Sequence, residues 1–230
     1  MRDHRVAVGV SLEGKIREHG FFLAQIIAIS RILEQKHRTQ DYPINAQVDQ
    51  LTYYFSAYLN TIQSLKDGSQ TAACAILSWN ELSPTYGDFV RYSRNAITHD
   101  GSALINASKD SKSYIVGPLR RIDDHDRVIE FDPPNEDVLT LCCRLSREVL
   151  ASLQTFLIRE RANIPTPNEE DFRRSFAGSL DHPFIPDFAK ELGRSNRAQI
   201  EASTAGASID VVGRALAAIT SVESTLATAT

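Results

Sequence analysis

The stretch Asp88-Phe89-Val90-Arg91-Tyr92-Ser93-Arg94-Asn95-Ala96-Ile97-Thr98-His99-Asp100-Gly101 decides how this chain is read. Phe89, Val90, Ala96 and Ile97 repeat at helical spacing. Gly101 supplies the left-handed residue that commonly ends a helix. The spacing therefore predicts the last turns of an amphipathic helix, with Ser83 at its cap and Pro84 at its first position. At about 100° per residue, Arg91, Asn95 and His99 form one i, i+4, i+8 stripe, and Arg94 flanks it. Arginine is a permanent cation whose planar fork of donors suits phosphate. Histidine gives and takes a proton near neutral pH. Together these side chains have the chemistry to hold a phosphate and move a proton beside it.

Outward from this stretch the pattern is mostly helical. Val6, Val8 and Val10 alternate, which suits a brief strand or a tail. Gly14 to Arg38 carries a broad stripe of Phe22, Ile26, Ile27, Ile29, Ile32 and Leu33, with Lys36, His37 and Arg38 in the last turn, where the helix dipole favours cations. After Asp41-Tyr42-Pro43, a helix is expected from Ile44 or Asn45 to Lys66, closed by Asp67-Gly68. A further short helix is expected within Gln70 to Leu82. Beyond Gly101, β-rich runs around polar turn residues predict a small β element within 113–131. Asn135-Glu136-Asp137 then starts a helix running from Val138 to Arg161. Asn163 to Asn168, with two prolines, is the best linker. Residues 163–230 read as a C-terminal extension with a terminal helix from Ile209 to Leu226, and His182 to Pro186 as an extended segment that docks elsewhere. A chain cut near Asn163 is expected to stay folded.

Composition narrows the function classes. The 230 residues carry a formal net charge of −4, which argues against nonspecific coating of nucleic acid, since such binders are basic. Lys109, Lys112, Arg120, Arg121 and Arg127 extend the cations beyond the stretch, but Asp110, Asp123, Asp124 and Asp126 largely cancel them. No apolar run reaches the ~20 residues of a membrane span, and the first residues lack a secretory core. Cys74, Cys142 and Cys143 form neither a disulfide framework nor a zinc spacing; they read as small core residues. The expectation is a cytoplasmic protein, without membrane contact and without a cofactor.

Arg94-Asn95-Ala96-Ile97-Thr98-His99 resembles the signature of the HEPN superfamily, an Arg and a His four to six residues apart with a polar residue beside the Arg. The resemblance covers about residues 13–162. It implies a mainly α fold, a HEPN-like helical bundle over 1–162 with a small β-hairpin insertion. It also implies a metal-independent endoribonuclease of a toxin–antitoxin or phage-defence system, with RNA as substrate and an antitoxin or regulatory protein as partner. Carried over by position, Arg94, Asn95 and His99 would be catalytic, with Arg91 as a substrate-binding residue beside them. Arg94 and His99 lie about 140° apart on an ideal helix, and the resemblance implies a homodimer whose facing motif helices complete one cleft.

Two other readings compete. In the first, a HEPN-like domain keeps the motif for dimer packing or binding alone. In the second, His99-Asp100, with His37 or His19 and Asp137, forms an HD-type metal phosphohydrolase. Gly101 ending the helix argues against the latter.

Overall fold

The apolar stripe that begins at Phe22 in the sequence reading starts much earlier. Val6, Leu12, Ile16 and Leu23 are all buried and repeat at helical spacing, so the first helix, α1, spans Arg2–Thr39. The strand or tail expected at Val6 to Val10 is thus helix; only Val6 of the three valines is buried, and Val10 is exposed. The structure is a computed structural model. It describes residues 2–42, 44–101, 103–122, 125, 127–204, 206 and 208–229; for His99, Asp100, Glu201, Ser203, Thr204 and Ala229 it describes the backbone alone.

Among the described residues the order is mainly α, with nine α-helices and two small β-hairpins. α2 spans Asn45–Ala73 and lies against α1 along much of its length. Asp67-Gly68 does not close it. A Cβ on Gly68 would meet Leu12 Cδ2 at 3.3 Å, so the glycine serves a close helix approach rather than a stop. The actual end is Cys74, in the left-handed region at φ 55°. Cys74 is exposed, unlike the buried Cys142 and Cys143.

α3 is the short Trp79–Leu82, capped by Ser78, whose side chain accepts from the Glu81 N–H. α4, the motif helix, spans Gly87–Asp100 with Tyr86 at its N-cap. Ser83-Pro84 opens the turn that leads into it: the Ser83 hydroxyl accepts from the Tyr86 N–H at 3.2 Å and the Ser83 carbonyl from the Gly87 N–H at 2.9 Å, while Ser83 also closes α3. Gly101 ends α4 as expected, in the left-handed region at φ 65°, with its N–H on the Ala96 carbonyl.

The β element is larger than 113–131. β1 (Ala107–Lys109) pairs with β2 (Lys112–Tyr114), and β3 (Leu119–Ile122) with β4 (Val128–Phe131), both antiparallel. α5, Val138–Arg159, is capped by Asp137, whose side chain accepts from the Thr140 N–H. The linker candidate is anchored at Ile164, which is buried.

α6 (Glu169–Leu180), α7 (Asp187–Ser195) and α8 (Arg197–Thr204) follow. None of α6 or α7 is buried. Phe184, expected to dock, stands 88% exposed. α9, Val211–Ala229, is different. Its Val211, Val212, Ala215, Ala218, Ile219, Val222 and Leu226 join the same core cluster as α1, α2 and α5, and α9 packs on α1 and α5. The last helix is part of the core rather than an accessory arm.

Inside that core sits a polar knot. His19 on α1 bonds Thr61 Oγ1 on α2 through Nδ1 at 2.9 Å and Ser146 Oγ on α5 through Nε2 at 3.2 Å. Tyr58 Oη lies 2.8 Å from the same Ser146 hydroxyl and donates to the Cys142 carbonyl at 3.0 Å. Both imidazole nitrogens thus have hydroxyl partners, so a buried polar group is satisfied. Burial without a carboxylate among its bonded partners lowers the His19 pKa to about 4.

Candidate functional site

α4 is held at its base by a carboxylate of α5 and by another just before that helix. Ser83 Oγ donates to Glu148 at 2.7 Å and the Thr85 N–H to the same carboxylate at 3.2 Å. Tyr86 Oη donates to Glu136 at 3.2 Å, and Arg144 pairs with Glu136. Burial and the adjacent Glu136 carboxylate push the Tyr86 phenol up from its ordinary value. Phe89, Val90, Ser93 and Ala96 face the core, which leaves the Arg91, Asn95 and His99 positions on the opposite side of the helix.

Arg94 is half-buried. Its Nη1 donates to Asn95 Oδ1 at 3.1 Å, while its Nε is enclosed and has no hydrogen-bond partner among the described residues. No carboxylate among the described residues forms an ion pair with Arg94 or with Arg91. Elsewhere arginines such as Arg2, Arg120, Arg144, Arg159 and Arg174 lie against a carboxylate. Arg91 is exposed, its guanidinium carbon 5.6 Å from the Tyr92 ring centre. The His99 backbone occupies the penultimate position of α4; its side chain lies outside the described residues. The structure therefore brings Arg94 and Asn95 into contact and places Arg91 on the adjoining exposed face. An arginine oriented by a neighbouring amide and lacking a carboxylate is chemically suited to an anion.

The β3–β4 hairpin adds a residue that the sequence reading set aside. Phe131 lies with its ring centre 6.4 Å from that of Phe89 and 5.5 Å from that of Tyr92, and β3 runs beside α4. Arg120 Nε pairs with Glu130 across the strands at 2.7 Å, as an exposed cancelled charge should. Arg121 does not follow that pattern. It is half-buried, its Nε enclosed without a partner among the described residues. Strand alternation was the available signal: Arg121 shares the face of Leu119, two residues away.

Of the residues an HD-type metal site would need, His19, His37 and Asp137 have other partners, and the His99 and Asp100 side chains lie outside the described residues. His19 has both nitrogens engaged in the core. Asp137 accepts from the Thr140 N–H at 3.1 Å, the Thr140 hydroxyl at 2.6 Å and Lys112 at 3.2 Å. His37 Nδ1 lies 3.2 Å from the Tyr42 hydroxyl. Among the described residues no three His, Cys, Asp or Glu side chains form a group able to hold a metal ion; Asp123, Asp124 and Asp126 lie outside the described residues. A groove of 460 Å³ between the start of α1 and α6 is lined by Val6, Val10, Phe172 and Ile209; its rim charges pair with one another, Arg2 with Asp171 and Arg174 with Asp3. No helix among the described residues is long and apolar enough to cross a membrane. No family model, no curated protein and no solved structure matches this chain.

Proposed function

We propose that this chain is a HEPN-like, metal-independent endoribonuclease that works as a homodimer through α4. The observation that carries the reading is the state of Arg94: bonded to Asn95, enclosed at Nε, and without a carboxylate among the described residues. In this reading Arg94 stabilises the charge that builds on the scissile phosphate. Asn95 holds the guanidinium in place, and exposed Arg91 binds the flanking backbone of the RNA. His99 is the general acid or base at the ribose 2′-hydroxyl or the leaving oxygen, and the product carries a 2′,3′-cyclic phosphate. Facing α4 helices of two copies bring the Arg of one and the His of the other to one cleft. An antitoxin or other regulatory protein would act by covering that cleft.

The protein should therefore cut single-stranded RNA in the presence of EDTA. His99→Ala should slow cleavage about 10²–10⁴-fold and Arg94→Ala about 10²–10³-fold, both with unchanged circular dichroism. Sedimentation should give a dimer at micromolar concentration. Intact RNA under all conditions, or cleavage abolished by EDTA, would overturn the assignment. A strict monomer that still cleaves would remove the composite cleft.

A further inference from the structure

We infer that Arg121, on the inserted hairpin, is a phosphate-binding residue that closes the α4 surface around single-stranded RNA, opposite Arg94. The inference rests on the reading of α4 as an RNA site and extends it to a second element of the fold.

Register defines the starting point. In the β3–β4 ribbon, Leu119 pairs with Phe131 and Arg121 with Ile129. These four are the half-buried positions, whereas Arg120, Ile122, Val128 and Glu130 are exposed. Arg121 thus occupies the ribbon face that Phe131 lays on α4. A guanidinium on such a face is unfavourable unless it meets hydrogen-bond acceptors. The protein supplies one, weakly: an Nη of Arg121 lies 3.4 Å from the Ile122 carbonyl. Among the described residues, the enclosed side-chain nitrogens without any partner are two, Nε of Arg94 and Nε of Arg121. They lie on neighbouring elements, α4 and β3.

Chain direction then places Arg121 along α4. Glu136, five residues past Phe131, reaches Tyr86 at the start of α4. β4 therefore runs towards the N-terminus of α4, and the Arg121–Ile129 pair lies on the other side of Phe131, towards the C-terminal half. Two strand residues span about 6.7 Å, which matches about four to five residues of helix. From Tyr92, which touches Phe131, that distance reaches the level of Ala96 and Ile97. Around the helix, at about 100° per residue, Tyr92 and Ala96 turn towards the hairpin, Arg91 and Asn95 come next, and Arg94 lies beyond them. The exposed stripe is bordered by Arg94 on one side and by the hairpin that carries Arg121 on the other. Two planar forks facing one stripe suit the successive phosphates of a polynucleotide strand. Tyr92, half-buried between Arg91 and Phe131, adds an aromatic wall of the kind on which unpaired bases stack.

The test is RNA binding read separately from cleavage. A short 5′-labelled single-stranded RNA is titrated with the full chain by fluorescence anisotropy in EDTA. His99→Ala serves as the background so that the strand stays intact, and the salt concentration is varied. Arg121→Gln should weaken binding about tenfold or more, as expected of a lost charged hydrogen bond. It should also reduce the slope of log K against log salt by about 0.7. Arg120→Gln, whose parent residue is paired with Glu130, should change neither. If Arg121→Gln loses its fold by circular dichroism, Arg121→Lys is read instead, keeping the slope while losing affinity with the fork. Affinity and slope of the Arg121 variant equal to those of Arg120→Gln overturn the inference, even where the parent chain cleaves RNA. Arg121-dependent binding by a chain that never cleaves overturns the nuclease and leaves the inference standing. Absence of any RNA binding overturns both.

Discussion

Protonating His19 would place a charge among Tyr58, Thr61 and Ser146, where water does not reach. Its folded-state pKa is lowered from 6.5 to about 4 by burial, so between those values the unfolded chain binds the proton and the folded chain does not. Stability is then complete above about pH 6.5 and falls as pH drops towards 4. The loss from this one residue is about 3 kcal/mol by pH 4. Urea unfolding at stepped pH should show it, and His19→Gln, which keeps hydrogen-bonding capacity but does not titrate, should flatten the dependence by about one proton. Equal pH dependence in both proteins would refute this account. At the same scale, helical spacing put Asn95 in a stripe with Arg91 and His99, and only the resemblance set it beside Arg94, to which it bonds. Sequence reading grouped Arg120 with Arg121 because composition treats neighbours alike, whereas a strand sends them to opposite faces.

At the scale of elements, α4 owes its seat to a glycine that no cap rule flags. A Cβ on Gly87 would lie 2.6 Å from the Trp79 carbonyl oxygen and 2.9 Å from its carbon. Backbone cannot swing aside as a side chain can, so α3 and α4 must part or α4 must shift. Gly87→Ala should therefore lower stability by about 1–3 kcal/mol. Gly14, also helical but with nothing within 4 Å of its Cβ position, should respond oppositely to the same change. Alanine there should stabilise by up to about 1 kcal/mol. Thermal melts of the two variants decide the matter; equal shifts would show that helix propensity alone governs both sites. This contrast also marks the limit of the sequence. The interior stripes of α2 and α5 were legible because long apolar periods dominate local propensity. Their ends were not: Gly68 looks like a stop until Leu12 is seen packed against it.

For the molecule as a whole, α9 changes what counts as the domain. Val211, Val212, Ile219, Val222 and Leu226 are each at most 5% exposed. At about 1.5–3 kcal/mol for each fully buried side chain, their burial contributes on the order of 10 kcal/mol as an upper value. That equals the entire net stability of a typical domain. A chain ending at Asn163 should accordingly aggregate or bind a hydrophobic dye, and a folded, monodisperse product would contradict this. The apolar composition of α9, diluted by Ala, Ser and Thr, concealed the role, because alanines at a close helix contact carry little signal in the sequence. Gly20 shows how close that contact is: its Cβ position lies 2.6 Å from Val222 Cγ2.

The polar knot has a consequence for phase. Stripes of Ile and Leu recurring every three or four residues nearly superpose on themselves after one turn, about 5.4 Å, and apolar packing alone tolerates such exchanges of partners. His19, Thr61 and Ser146 meet in a single alignment of α1, α2 and α5. A bundle slid by one turn would bury them unpaired at about 1–3 kcal/mol for each group. Sliding α5 would also carry Glu136 and Glu148 away from Tyr86 and Ser83. A histidine deep among the long helices thereby sets the vernier by which the motif helix is aimed.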